Sequence, residues 1–186
     1  MGCYDNIPIE NLGACTNVEL ASGVSETDIY YAPVDFIDQD AEPTALGTTG
    51  ATFEQLGKIS TDITFLSGKG FKKLRIMPET GEVKDELTGN KGNKKVKQSF
   101  EFMIANTDAT LIGFVRQYKN VPMVVLVRER TGRIRKIGSK ANPAFFDAVS
   151  ITTGKTAEDD SGMTLTVTAV SGSPAPEYAG AITEMT

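Results

Sequence analysis

The 186-residue sequence contains no histidine and no tryptophan. Without histidine, the chain lacks the commonest general base, the usual partner of a nucleophilic serine or cysteine, and the commonest metal ligand. The lack of tryptophan argues against a protein that binds sugars or single-stranded nucleic acids by ring stacking. No stretch approaches the roughly 20 apolar residues that a membrane helix needs. We therefore expect no enzyme, no cofactor, no bound metal and no membrane association.

Cysteine is scarce, with only Cys3 and Cys15 present. The first residues lack both the basic region and the apolar region of a secretory signal. These features predict reduced thiols in a protein made in the cytoplasm.

Basic residues are missing from residues 1–57, which hold ten Asp and Glu. Residues 58–140 hold eighteen Lys and Arg against eight acidic residues, and residues 141–186 are acidic again, for a net charge of −5. Two interpretations are open. The acidic flanks could attract the basic middle of another copy, or they could fold over the middle within one subunit.

Hydrophobic periodicity predicts about eight strands and one helix. Alternating apolar residues mark strands at Lys97–Ile104 and Met163–Val170, and a continuous apolar run opens a hairpin over residues 123–137. The helix is predicted at Thr107–Asn120, with Thr107 or Asp108 as N-cap. Strands separated by turns in this way predict a β-sandwich or barrel carrying one helix.

The predicted organisation is a single mainly β domain. We expect an N-terminal arm at residues 1–13, a core at residues 14–170 and a flexible C-terminal tail at residues 171–186. Residues 71–104 are interpreted as a long hairpin with a charged, extended tip at residues 78–96. A connection of that length within a compact domain is usually functional or disordered.

Two charged surfaces are candidates for interaction. The first lies on the 78–96 loop and comprises Lys84, Asp85, Glu86, Lys91, Lys94, Lys95 and Lys97. This loop could bind nucleic acid, or it could be a solubilising loop that contacts only solvent. The charge asymmetry of the sequence favours a third interpretation, in which the loop docks on a neighbouring subunit. The second is a cationic interface comprising Arg128, Arg130, Arg133, Arg135 and Lys136. These cations repel one another, so we expect an acidic partner.

An acidic cluster lies at Asp35, Asp38, Asp40 and Glu42. It could ligate Ca²⁺, but its spacing lacks the glycine and the terminal glutamate of an EF-hand loop. We interpret the cluster as a solvated acidic loop.

The order of a long charged loop 78–96, one helix 107–120 and a strand hairpin 123–137 resembles the tail-tube family of long-tailed phages and related injection systems. A second resemblance, to segments of prophage tail subunits, lies in Asn142-Pro143-Ala144-Phe145, Ile151-Thr152-Thr153-Gly154, Asp159-Asp160-Ser161-Gly162 and the Thr-rich strand that follows. The resemblance covers roughly residues 59–170. It implies a virion subunit that assembles with itself into stacked, usually hexameric rings, with other tail proteins as partners and DNA passing transiently.

The resemblance also implies a mechanism. The sheet of each subunit would continue into its neighbour, and closure into a barrel would remove the exposed strand edges. The 78–96 loop would order on assembly, and acidic residues facing the channel would repel DNA phosphates. The alternatives are a β-sandwich binding or adhesin module, a head–tail connector or tail terminator subunit, and a nucleic-acid-binding protein.

Overall fold

A computed structural model describes residues 23–105, 107–153 and 161–185 of the chain. The described chain is mainly β, so the predicted fold class is confirmed. The strands are β1 Val24–Pro33, β2 Ile37–Gln39, β3 Lys58–Ile59, β4 Thr64–Phe65, β5 Lys72–Leu74, β6 Glu82–Thr88, β7 Lys95–Ala105, β8 Met123–Glu129, β9 Ile134–Ile137, β10 Phe145–Thr152, β11 Gly162–Ser171 and β12 Glu177–Tyr178. The helices are α1 Phe53–Gly57 and α2 Ala109–Tyr118, with a 3-10 turn at Val34–Phe36.

The strands form two main sheets. A six-stranded sheet has the order β3-β12-β9-β8-β1-β5, and a four-stranded sheet has the order β10-β11-β7-β6. A small third sheet pairs β2 with β4. The described strand pairs are antiparallel except for β12 with β3, which is parallel.

The core of the sandwich lies between the two main sheets. Phe100 and Phe102 of β7 and Leu165 of β11 are buried against Val125 and Val127 of β8. These residues are two apart along their strands, so the alternation of a pleated strand places them on one face. The alternation that predicted β7 and β11 therefore identifies the inner face of the four-stranded sheet.

The opposite face of the six-stranded sheet has its own core. Val124 and Leu126 of β8 point there and pack with residues of the segment between β1 and β5, including Ile63 and Phe71. The central strand β8 is buried on both faces, which explains its continuous apolar run.

Helix α2 covers one end of the sandwich and confirms the predicted helix. The Asp108 carboxylate caps it by accepting a hydrogen bond from the Leu111 N–H at 2.9 Å. Phe114 packs edge-on against Tyr31, with ring centroids 5.4 Å apart, and against Phe146 at 5.9 Å.

The stretch at 78–96 differs from the predicted loop. Residues 82–88 form β6, which pairs with β7 along its whole length. The connection from β6 to β7 is residues 89–94, where Gly89 adopts a φ of 92°. The strand before it, β5, pairs with β1 in the other sheet and is not the hairpin partner of β7. The prediction of a loop rested on the many charges of this stretch, but an edge strand needs few apolar residues, so a high charge content does not exclude a strand.

The C-terminal segment is packed against the body, and the prediction of a flexible tail at 171–186 is wrong for residues 171–185. Tyr178 is 2% exposed. Its hydroxyl donates a hydrogen bond to the Ala181 carbonyl at 2.8 Å and accepts one from the Ile63 N–H at 3.1 Å. The predicted arm at 1–13 lies outside the described residues, as does the start of the predicted 14–170 core.

Candidate self-assembly surface

The four-stranded sheet ends in two long strands with open edges. Its outer strands, β6 and β10, have seven and eight residues. Within 23–105, 107–153 and 161–185, no strand pairs with the outer edge of either one. The outer strands of the six-stranded sheet are far shorter, with two residues in β3 and three in β5. Long open edges are templates for pairing with another chain, and short ones are poor templates.

The two open edges run in opposite directions. Each neighbouring pair in the four-stranded sheet is antiparallel. Three antiparallel steps lead from β10 to β6, so these two strands point opposite ways. A second copy in the same orientation can therefore place its β6 beside β10, and the combined sheet stays antiparallel throughout.

Apolar side chains stand exposed on the core face at both edges. Leu87 of β6 is 72% exposed, although its cross-strand partner Val96 is buried. Ile151 of β10 is 51% exposed, although its partner Met163 is buried. Val149 shares this face and is also exposed. Each of these residues continues the apolar layer of the core to the edge beyond which no strand of the described chain pairs.

The other face of the four-stranded sheet is mainly polar, with Phe145 and Val170 as exposed apolar residues at one end. Thr164, Thr166 and Thr168 of β11 form its centre, because they alternate with the buried residues of that strand. Charged side chains flank the threonines and carry acid–base pairs. The Lys84 ammonium lies 2.6 Å from the Glu86 carboxylate, and Lys97 lies 3.2 Å from Asp147.

The Lys84–Glu86 contact has a direct electrostatic effect. Its hydrogen bond raises the pKa of Lys84 and lowers the pKa of Glu86, so both groups keep their charge over a wider pH range. The pair presents little net charge to a passing anion.

The residues predicted for the inter-subunit loop occupy three places. Lys84, Asp85 and Glu86 lie on β6, Lys91 and Lys94 lie in the 89–94 turn, and Lys95 and Lys97 lie on β7. Asp85 makes a contact within its own subunit: its carboxylate accepts a hydrogen bond from the Ala175 N–H at 3.2 Å. Burial raises the pKa of Asp85 above its usual value. All seven residues, Asp85 included, are partly or fully exposed.

The predicted cationic interface is divided between two faces. Arg135 lies opposite Val127, and Arg128 lies opposite Ile134, so the two arginines point to opposite sides of the six-stranded sheet. Each of the five cations has a carboxylate of the same chain nearby. The pairs are Arg128 with Asp28 at 3.5 Å, Arg130 with Glu79 at 3.9 Å, Arg133 with Glu177 at 3.8 Å, Arg135 with Glu129 at 2.8 Å and Lys136 with Asp40 at 2.7 Å.

Lys136 does not lie at a surface, and the prediction is wrong for this residue. Its side chain is 1% exposed. The ammonium donates hydrogen bonds to the Asp40 carboxylate at 2.7 Å and to the Ala41 carbonyl at 2.6 Å. Asp40 also accepts from the Lys140 N–H at 2.7 Å. The buried ion pair fastens the acidic loop to β9.

The acidic flanks of the sequence meet its basic middle within one subunit at these sites. Asp28 and Asp40 come from the acidic first third, and Glu177 comes from the acidic last segment. The interpretation as a solvated acidic loop is wrong for Asp40, whose side chain is 9% exposed, while Asp35 and Asp38 are exposed.

Sequence reasoning missed the edge residues Leu87, Val149 and Ile151. A signal was present, because Val83 and Leu87 keep strand spacing inside a charged stretch and Val149 alternates with Ile151. The spacing could indicate a strand, but it could not indicate that the strand ends a sheet.

No helix in the described chain is long and apolar enough to cross a membrane. The described residues also hold no group of three or more cysteine or acidic side chains placed to bind a metal ion. Comparisons with protein-family models, curated proteins and solved structures found no match to this chain.

Proposed function

We propose that this chain is a structural subunit of a phage or prophage virion, and most specifically a tail-tube-like protein. Copies would assemble into stacked rings that form a conduit for DNA. The observation that carries the proposal is the four-stranded sheet with two long, open, oppositely directed edges. A sheet of this kind can be extended by identical copies, and a closed ring of copies leaves no edge exposed.

The resemblance in the sequence and the geometry of the sheet support the same arrangement. The six-stranded sheet and α2 cover the apolar face of the four-stranded sheet. Its polar face is the side left to line a channel when the sheets of several copies close into a barrel. A barrel of many strands encloses an aqueous channel rather than a packed interior.

The composition of the polar face suits a conduit that does not bind DNA. Its centre is the threonine column of β11, and Lys84 and Lys97 each lie beside a carboxylate. Nucleic-acid affinity depends on cations that neutralise phosphates. Lysines already paired with Glu86 and Asp147 offer little of that attraction.

Assembly can be tested with purified protein. Negative-stain microscopy at rising protein concentration should show rings or tubes with a central channel, and sedimentation should show species far larger than the 20.0 kDa chain. Tubes of stacked rings would distinguish a tube protein from a connector or terminator, which forms single rings. Monodisperse monomers under all salt conditions would refute the proposal.

Two isoleucines with equal exposure provide a matched pair of variants. Ile151, on the edge strand β10, and Ile112, on α2, are each 51% exposed. The variant Ile151→Lys should abolish assembly, because it places a charge on the core face where a neighbouring strand would add. The variant Ile112→Lys should assemble like the parent chain. Equal assembly of the two variants would exclude the β10 edge as the contact.

A further inference from the structure

The two edge strands are offset along the sheet. The cross-strand row that begins at Glu82, the first residue of β6, passes through β7 and β11 and ends at Ala148 of β10. The row that begins at Lys84 ends at Phe145, the first residue of β10. Outside these rows, each end of the sheet is extended by only one of the two edge strands. Residues 85–88 extend β6 at the end with the 89–94 turn, and residues 149–152 extend β10 at the opposite end.

This offset decides how two copies can join. If copies stood side by side without a shift, β6 of one would overlap only the first part of β10 of the other. A shift of four residues along the strands brings all of β6 opposite β10. Four is an even number, so core-facing residues still meet core-facing residues across the new pair.

The shift also gives the slope that a closed barrel needs. Four residues of strand rise about 13 Å, and four strands span about 19 Å at the usual spacing. Their ratio corresponds to a strand tilt of about 35°, which is the tilt found in closed barrels. The offset is a property of one subunit, so the same slope holds for any number of copies.

We infer that copies of this chain join β6 to β10 in the register shifted by four residues, an inference that rests on the proposed function. On the core face, Val83 then lies opposite Ile151, and Leu87 lies opposite Phe146. On the polar face, Lys84 lies opposite Ser150.

The register accounts for the exposed apolar groups at both edges. Leu87 and Ile151 lie next to buried residues within their own sheet, and no strand among the described residues lies beside them on the open side. The joined strands supply that neighbour to both. Between them, Asp85 lies opposite Val149, and its carboxylate still accepts the hydrogen bond from the Ala175 N–H of its own subunit.

Other registers are less favourable. Odd shifts would place core-facing residues such as Leu87 opposite polar-face residues of the neighbouring β10, because side chains alternate along a strand. A shift of two residues would leave part of each edge unpaired. The register of β10 shifts between Phe146 and Ala148, and β6 carries several charged side chains. Both features disfavour pairing with unrelated strands, since edge irregularities and charges prevent indiscriminate association. The partner that fits is a second copy of this chain.

Cysteine cross-linking can test the register in assembled protein. In a background with Cys3→Ser and Cys15→Ser, the pair Lys84→Cys and Ser150→Cys places thiols directly opposite each other in the inferred register. Directly opposite residues approach the separation that a disulfide requires, and diagonal neighbours do not. Mild oxidation should give a ladder of linked chains on a non-reducing gel.

The matched control is the pair Lys84→Cys and Phe145→Cys, which would be opposite in the unshifted register. This pair should give no ladder. A ladder from the control equal to or greater than that from the first pair would overturn the inferred register while leaving assembly intact. Rings or tubes in which neither pair cross-links would overturn the β6–β10 contact. Failure of the parent chain to form rings or tubes would refute the proposed function as well.

Discussion

Removing one partner of the buried Lys136–Asp40 ion pair should lower the free energy of unfolding by an unusually large amount. The ammonium has three neighbours: the Asp40 carboxylate at 2.7 Å, the Ala41 carbonyl at 2.6 Å and the Glu42 carboxylate at 3.6 Å. Lys136 is 1% exposed, so solvent cannot replace a lost partner. The variant Asp40→Ala leaves this buried charge with only the Ala41 carbonyl and the more distant, exposed Glu42 carboxylate. Removing one partner of a buried ion pair costs about 3–5 kcal/mol in other proteins.

Asp40 also accepts hydrogen bonds from two backbone N–H groups, at Ala41 and Lys140. These bonds are lost together with the ion pair, so the range of about 3–5 kcal/mol for removing one partner of a buried pair includes them. For a chain of this size, the melting temperature should fall by roughly 6–20 °C. Urea unfolding of the dilute monomer, followed by circular dichroism, measures the free energy of unfolding.

Two further variants test whether the ion pair is buried. Glu42→Gln should cost less than about 1 kcal/mol, because the Glu42 side chain is 56% exposed and exposed ion pairs contribute little. The double variant Asp40→Ala with Lys136→Met should be more stable than Asp40→Ala alone, because it removes the uncompensated ammonium. An Asp40→Ala cost near that of Glu42→Gln would show that the pair is not buried as described. If the double variant were destabilised by the sum of the effects of Asp40→Ala and Lys136→Met alone, this result would also show that the pair is not buried as described.

Two other predictions concern the C-terminal segment and the aromatic cluster. Gly180→Ala should destabilise the fold by about 1–3 kcal/mol, because its Cβ would lie 2.5 Å from the Thr61 carbonyl oxygen. Gly172→Ala, with nothing within 4 Å, is the control in the same urea titration, and equal effects would contradict the packed C-terminal segment. Burial raises the pKa of Tyr31 to about 12 and also raises the pKa of Tyr178, so a tyrosinate absorbance titration should show a late component that Tyr31→Phe reduces without abolishing. The folded state holds the neutral phenol, so this residue's contribution to stability should be lost as pH rises above the ordinary tyrosine pKa of 10.0, and an ordinary titration of Tyr31 would contradict its burial.

Local patterns in the sequence were sufficient for several elements of the sandwich, but not for the charged edge strand β6. Alternation at Phe100 and Phe102 predicted both β7 and its inner face, since the pleat places every second side chain on one side. Helix α2 followed from its apolar stripe and from Asp108 as N-cap, which depend only on neighbouring residues. The virion function is a proposal, supported by the resemblance and by the open sheet edges.

The sequence by itself decided the strands with a clear alternation or apolar run, such as β7, β8 and β11, the helix α2, and which side chains of those strands face the core. It did not predict β6, β12 or the short helix α1. Only the tertiary structure decided that β5 and β6 belong to different sheets, that β6 and β10 end one of them, and that Lys136 is buried beside Asp40. The physical reason is the sequence separation over which each interaction acts. Strand periodicity and helix capping act over a few residues, whereas strand order and ion-pair partners depend on contacts between segments that are distant in the chain, such as Asp40 and Lys136, and local patterns carry no information about them.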